Sequence, residues 1–448
     1  MTGNADERLT AVEADRRGTA RVLSAVQLAI LSAQARAGDP SAYTMLSSVR
    51  ARGLPSWAAL LDAARATLTR HDVFAWRLDL DSAFEIEVRA EPGSGVPAFV
   101  IEQADMSSLS PAEADQAVAE RLGAERRRVV NLFDPDTPYT RLIVFRLPSA
   151  EPSGGHEAVC TLVTHHVLLD EHATDLLWSE MFRRIAQRAV PEQHDRRYAR
   201  WAAAGLAPDA REAARRAAQE IARHLRAGGL GTLPSTSPAT TGPPAAPEPP
   251  LRFALPESLS TAAAARAADL AVPVAAVYGT ALSETLAARA RPPRLALHVP
   301  MTRRTGAADA DVVGCYVAFV PVLAQAPDPA LTPRQAIGRW QRSLTFAADR
   351  AHASLTEVET ALGGGPAQAV LSFENRHAHR RTGPVRWTPL PPPDSAAKAD
   401  VTVFLAPASA GHTGDGRIVW RAGASDPAAA GRLVADFLDR AQALSAPA

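Results

Sequence analysis

AVCTLVTHHVLLDEHATDLLWSEM, residues 158–181, begins as an apolar run of strand length and ends with apolar residues at helical spacing. His165, His166 and Asp170 stand at the changeover. Strand ends are where a rigid scaffold presents chemically active groups. Successive side chains of a strand point to opposite faces, so two adjacent histidines cannot share one task. One is expected to face a cleft and the other the packed interior. An imidazole near its ordinary pKa suits acid–base work at neutral pH. Other readings stay open at this point. The pair serves equally well as structural core, and a metal site has only a carboxylate four residues on, without a convincing third ligand. A serine hydrolase would need a Gly-x-Ser-x-Gly elbow, which the sequence lacks.

Around this segment the chain alternates helical and strand patterns. Helices are expected at Arg21–Gln34, Trp57–Arg70, Pro111–Arg128 and Asp175–Ala189, from apolar residues recurring every three to four positions. Strands are expected at Val73–Leu80 and Phe84–Arg89, with Asp81 and Ser82 turning between them, and at Tyr139–Leu147 and Ala158–Thr164. Residues 227–250, AGGLGTLPSTSPATTGPPAAPEPP, have almost no large apolar side chain and read as a linker. Beyond it the mixed style resumes. Strands are expected at Leu251–Leu255, Arg294–Val299, Tyr316–Leu323, Ala369–Glu374, Val401–Ala406 and Arg417–Ala422. Helices are expected at Ser258–Arg289, Pro333–Arg350 and Pro427–Leu444. The division is therefore a polar segment 1–20, an N-terminal lobe 21–226, the linker 227–250 and a C-terminal lobe 251–448, both lobes mixed α/β. Ligand sites favour such a seam.

Composition narrows the function classes. The 448 residues are 46% hydrophobic and 21% charged, with Lys+Arg 48 against Asp+Glu 48. That excludes wholesale disorder, and the missing basic excess argues against nucleic-acid binding. Lys398 is the sole lysine, which reads as the arginine bias of a GC-rich genome. Cys160 and Cys315 belong to no ligand cluster and are expected to be buried thiols. The start of the chain has no apolar signal core, and no stretch approaches membrane-spanning length, so a cytoplasmic protein without a membrane partner is expected.

The segment HHVLLDE, 165–171, resembles the HHxxxDG motif of non-ribosomal peptide synthetase condensation domains and related acyltransferases. Further matches follow in family order. LSAVQLAIL (23–31) is similar to the opening S-x-A-Q segment, and Arg70-His71-Asp72-Val73-Phe74 to R-H-E-x-L. FDPDTPYTRLIVFRL (133–147) resembles the F-D-x-x-x-x-P-L-x-R entry, and Tyr198–Trp201 the Y-x-D-Y/F stretch. VGCYVAFVP (313–321) resembles I-G-x-F-V-N-T, and VLSFEN (370–375) the late strand. The resemblance implies two chloramphenicol-acetyltransferase-like lobes in a V-shaped pseudo-dimer, with the motif midway along a central tunnel. It implies amide-bond formation between a carrier-bound acyl or aminoacyl thioester and an amine. No cofactor is held permanently; phosphopantetheine arrives on peptidyl or acyl carrier proteins. The acceptor is a small-molecule amine or aminoacyl group, and the enzyme is expected to be a monomer without a metal.

On that resemblance His166 faces the tunnel as general base or as positioner of the nucleophile. His165 is its packed partner, and Asp170 holds the loop through an arginine of the second lobe. Arg303 is the expected arginine, with Arg304 the competing choice. Glu171 replaces the motif glycine and is followed by His172. It either serves the first turn of the next helix or narrows a channel and favours a cationic acceptor. Tyr316, Ser372 and Asn375 are expected to line the channel with Glu171 and His172. His377 and His379 read as a solvated loop. An ester-forming enzyme with a hydroxyl acceptor, or a non-catalytic module that recruits a partner, are the alternatives; Glu171 argues for the last and the retained histidines against it.

Overall fold

The computed structural model describes residues 22–36, 39–80, 86–90, 98–134, 136–148, 155–234, 249–364, 369–374, 380–409, 413–421 and 424–446. In chain order the first half contains α1 (Ala25–Arg36), β1 (Thr44–Leu54), α2 (Trp57–Arg70), β2 (Trp76–Leu80), β3 (Ile86–Ala90) and β4 (Val100–Asp105). It continues with α3 (Pro111–Arg127), β5 (Thr140–Leu147), β6 (His156–His165), α4 (Glu171–Ile185), α5 (Arg197–Ala204) and α6 (Pro208–Arg226). The second half contains β7 (Leu251–Ala254), α7 (Glu257–Asp269), α8 (Val274–Arg289), β8 (Arg294–Thr302), β9 (Val317–Gln325), α9 (Pro333–Ala348) and α10 (Leu355–Leu362). Then follow β10 (Ala369–Phe373), β11 (Arg380–Thr382), β12 (Val385–Leu390), β13 (Val401–Ala406), β14 (Asp415–Trp420) and α11 (Pro427–Ser445).

Two six-stranded mixed sheets organise these elements, in the orders β11-β12-β1-β6-β5-β4 and β7-β14-β13-β10-β8-β9. Both faces of the first sheet are covered, which is why β5 and β6 read as nearly unbroken apolar runs. Ala158, Cys160 and Leu162 face the larger core with Leu60, Trp178 and Phe182; Val159 and Val163 face the smaller core built by Val118 and Leu122 of α3. The second sheet packs on α8, α9 and α11 in a separate core around Val277, Trp340, Val403 and Phe437.

The two halves of the chain are crossed into one another. β11 and β12 join the first sheet, with Ala51 opposite Trp387, although they lie in the second half. Val312, Val313, Cys315 and Tyr316 also pack in the first core. Gly314 is needed there: a Cβ would stand 2.2 Å from the Tyr198 ring, whose hydroxyl donates to the Cys315 carbonyl at 2.8 Å.

Several elements differ from expectation. β1, a central strand, carries too many Ser, Thr and Arg residues to read as one; β4, α5, α6, α10 and the β11–β12 hairpin were likewise not anticipated. The single helix expected over Ser258–Arg289 is two, bent by 111°. Pro273 cannot donate to a helical carbonyl, and Ala271 adopts φ +53° just before it. α4 starts at Glu171 rather than Asp175 because Asp170 caps it. The expected turn at Asp81 and Ser82, and most of the expected linker, lie outside the described residues. Among the described residues no single helix is long and apolar enough to cross a membrane.

Candidate active site

β6 delivers the two histidines where the first sheet ends. His165, still paired opposite Thr44, is fully buried. Its Nδ1 accepts from the Val167 N–H at 3.0 Å, so Nε2 carries the proton and donates to Gln34 Oε1 at 3.0 Å. The backbone then turns. The His166 N–H donates to the Tyr43 carbonyl at 2.9 Å, and the Val167 carbonyl accepts from Gln27 Nε2 at 2.8 Å. α1 thus fixes the loop through Gln27 and Gln34, with Ser24 donating its own N–H to Gln27 Oε1.

His166 Nδ1 lies 3.0 Å from the Leu169 carbonyl, which can only accept. Nδ1 therefore carries the proton, leaving Nε2 with its lone pair. The ring is partly exposed to water and lines a chamber of about 340 Å³ whose walls come from both sheets. Thr44, Met45 and Ser47 of β1 stand on one side; Phe319, Val370 and Thr402 stand on the other. Burial, with a smaller contribution from the Lys398 charge, depresses the His166 pKa to about 3, and the same causes bring His165 to about 3.

Asp170 is 5% exposed and fully engaged. Oδ1 accepts from the Ala173 N–H at 2.8 Å and caps α4; Oδ2 accepts from the Tyr316 N–H at 2.8 Å and Arg304 Nη1 at 2.5 Å. Arg304 also donates to the Val312 carbonyl at 3.0 Å and lies over the Tyr316 ring. The second-lobe partner of Asp170 is therefore Arg304, not Arg303. Side chains of neighbouring residues diverge at the end of β8, and Arg303 goes to the Trp201 ring, 5.2 Å from its centroid. Arg303→Ala is accordingly expected to cost about 0.5–1 kcal/mol, the range of an exposed cation–π contact, with acyl-transfer turnover nearly unchanged. A turnover loss as large as that of Arg304→Ala would reverse the assignment.

Glu171 lines the chamber. Water reaches its carboxylate, yet protein encloses it on most sides, and its pKa is pushed up to about 7 by that enclosure and by the charges of Glu374 and Asp175. Glu374 is held by Arg417 in a bidentate pair at 2.6 and 2.8 Å, and Asp175 by Arg380 at 3.0 Å. Ser372 also lines this chamber. His172 does not; its Nε2 meets the Ala310 carbonyl at 2.8 Å on the outer surface. Tyr316 does not either, because its ring packs between Tyr198, Trp201 and Arg304 inside the first core. Asn375, His377 and His379 lie outside the described residues. Lys398, which the sequence reading set aside as codon bias, lines the chamber; its standing as the sole lysine was the signal. Both cysteines are buried, and burial raises their thiol pKa values, Cys160 to about 12.

Solved structures share this fold over almost the whole chain. The starter condensation domain of rhizomide synthetase RzmA, solved as a single-site mutant with C8-CoA, superposes with a TM-score of 0.75 at 15% identity, covering 98% of each chain. The chain has the condensation-domain fold. The first condensation domain of the CDA synthetase matches at TM-score 0.72 and 18% identity, covering 96% of this chain and 97% of that one. SgcC5 from Streptomyces globisporus matches at 0.69 and 16%, covering 90% and 92%. No protein-family model and no curated protein sequence matches the chain. HHVLLDE runs from the last residue of β6 to the first of α4, at the seam of the two sheets.

Proposed function

We propose that this chain is an acyltransferase that moves an acyl or aminoacyl group from a carrier-bound phosphopantetheine thioester to an amine, forming an amide as in non-ribosomal peptide synthesis. The observation that carries the reading is the His166 ring: Nδ1 is tied to the Leu169 carbonyl, Nε2 is left with its lone pair, and the ring borders a chamber between two lobes. A thioester is already activated, so holding the amine beside its carbonyl accounts for about 7–11 kcal/mol of the barrier. In the transfer the amine nitrogen bonds to the carbonyl carbon, the C–S bond breaks, and the thiol leaves with the proton that the amine gives up past His166. The likeness to a domain solved with an acyl-CoA supports a thioester donor.

Glu171 favours an amine over a hydroxyl acceptor, because a carboxylate facing the chamber attracts an ammonium group on or beside the nucleophile. As the pair would be wet, its worth is about 0.2–1 kcal/mol, up to about fivefold in kcat/KM. Glu171→Gly is expected to lose that preference and to accept bulkier acceptors, checked by competing cationic, neutral and large amines for one donor. An unchanged acceptor profile would return Glu171 to a helix-start residue. The reading as a whole is tested by incubating the chain with acyl-loaded carrier protein and an amine panel, with intact-mass detection of the carrier. Amine-dependent loss of the acyl group with matching amide product is expected. Ester product alone moves the assignment to a hydroxyl acceptor, and no transfer with any donor or acceptor overturns it in favour of a recruiting module.

A further inference from the structure

Lys398 stands where two cavities share a wall. One is the His166 chamber; the other, about 490 Å³, lies between α1 and α10 and is walled by Val26, Ile30, Ala33, Phe319, Leu355 and Val370. Lys398, Val317, Phe319 and Val370 line both. The other cations around these spaces are committed. Arg417 holds Glu374, Arg421 holds Asp400, Arg36 holds Glu359, and Arg126 donates to the Thr44 carbonyl. Lys398 Nζ faces the Tyr43 ring, 5.2 Å from its centroid, and among the described residues no carboxylate pairs with it. Burial and the charge of Arg126 bring its pKa down to about 7.

An ammonium without a counterion is costly to enclose, and a ligand that brings negative charge relieves the cost. Here the ammonium has an apolar cavity on one side and the His166 chamber on the other. A ligand fitting both carries a hydrocarbon portion and, beside it, an oxygen that is or becomes negative. An acyl donor has that layout. A compact ammonium also suits the junction better than a guanidinium, which spreads its charge over a planar fork.

We propose that Lys398 receives the carbonyl oxygen of the acyl donor, whose hydrocarbon portion occupies the cavity between α1 and α10, and carries the charge that develops on that oxygen. This rests on the acyl-transfer reading. As the amine nitrogen bonds to the carbonyl carbon, the C=O electron pair moves onto the oxygen beside Lys398. When that pair returns, the C–S bond breaks and the sulfur leaves with its electrons, taking the proton released by the amine. Lys398 gives up no proton and acts by charge alone, the role of an oxyanion-binding donor whose removal typically lowers kcat by about 10²–10³-fold.

The sole lysine makes the test direct, because the chain has one ε-amine to label. Reductive methylation of the full chain, read by peptide mass spectrometry, is carried out with and without decanoate, whose carboxylate stands in for the charged oxygen. Decanoate is expected to slow methylation of Lys398 at least fivefold while the N-terminal amine is unaffected, and decanol at equal concentration to give no such protection. By calorimetry, Lys398→Met is expected to weaken decanoate binding at least tenfold and Lys398→Arg to restore only part of it. Equal decanoate affinity in wild type and Lys398→Met, or methylation indifferent to decanoate, overturns the assignment; the labelling result decides alone if the methionine variant fails to fold. Acyl transfer that is equal in wild type and Lys398→Met, without decanoate protection, removes Lys398 but leaves the transferase reading standing. Lysine-dependent decanoate binding in a chain that transfers nothing supports the acyl site and removes the transferase reading.

Discussion

Asp170→Asn is expected to lower the unfolding free energy by about 3–5 kcal/mol, the range for deleting one partner of a buried ion pair. The substitution preserves volume and keeps a good helix N-cap, so the Ala173 contact survives and the loss falls on the other oxygen's contacts. What changes is the other oxygen. An amide NH₂ placed there would face the Arg304 guanidinium and the Tyr316 N–H, donor against donor. Arg304 would then keep its charge with only the Val312 and Gly314 carbonyls for company. Arg304→Met is expected to cost less, about 1–3 kcal/mol, because Asp170 retains two backbone N–H donors. The double variant is expected to fall short of the sum by a coupling of about 0.5–3 kcal/mol. Urea unfolding followed by tryptophan fluorescence measures the cycle. Asp170→Asn within 1 kcal/mol of wild type would show that the pair does not hold this seam.

The same substitution reaches the chemistry through the backbone. Leu169, whose carbonyl fixes the His166 ring, precedes Asp170 directly. A loop released from Arg304 moves that carbonyl, and a misplacement of about 1 Å costs roughly 10²-fold in rate. Because both Asp170 oxygens are taken up by Ala173, Tyr316 and Arg304, kcat is expected to fall with little change in the KM for carrier, a split that a globally loosened protein would not produce.

Much of this site was legible because its signals are local. A buried strand, two histidines and a helix cap lie within 158–181, and the cap ties Asp170 to the start of α4 whatever the rest of the chain does. What stayed hidden depends on distant partners. β1 reads as polar because Ser48 is matched by Thr161, Thr44 by the Arg128 carbonyl, and Arg50 by Asp115 and Glu157, none of which is near it in sequence. Arg303 and Arg304 cannot be told apart from spacing, since one position decides which side of β8 a side chain leaves. Tyr316 was expected at the channel, yet only its backbone serves the site while its ring fills the core. The exchange of β11 and β12 into the first sheet is likewise invisible before the fold is assembled.

His166→Ala is expected to lower kcat for transfer by about 10²–10⁴-fold, the usual span for a lost acid–base or proton-positioning group. The pKa of about 3 bears on which of these roles the ring fills. A base must hold the proton it takes, and enclosure beside the Lys398 charge disfavours the imidazolium. On the proposed reading the ring is a hydrogen-bond acceptor that aligns the amine, with the proton passing on to sulfur as the C–S bond breaks. Above about pH 4 it stays neutral, so between pH 5 and 9 the rate responds to Glu171 and Lys398, both near 7, and to the acceptor amine; only the acceptor's part of a rise should move to lower pH with an acceptor of lower amine pKa. A rise that stays fixed while the acceptor changes, and that persists in Glu171→Gly, would mean another enzyme group is the base. Stability supplies a check independent of turnover. Between pH 6.5 and about 3 the unfolded chain protonates His166 while the folded chain does not, so the folded state is fully favoured above 6.5 and loses ground as pH falls through that window. His166→Ala removes one such proton, and its acid dependence of unfolding is expected to be shallower by up to about 1.4 kcal/mol per pH unit, whereas an unchanged slope would place the ring's proton elsewhere.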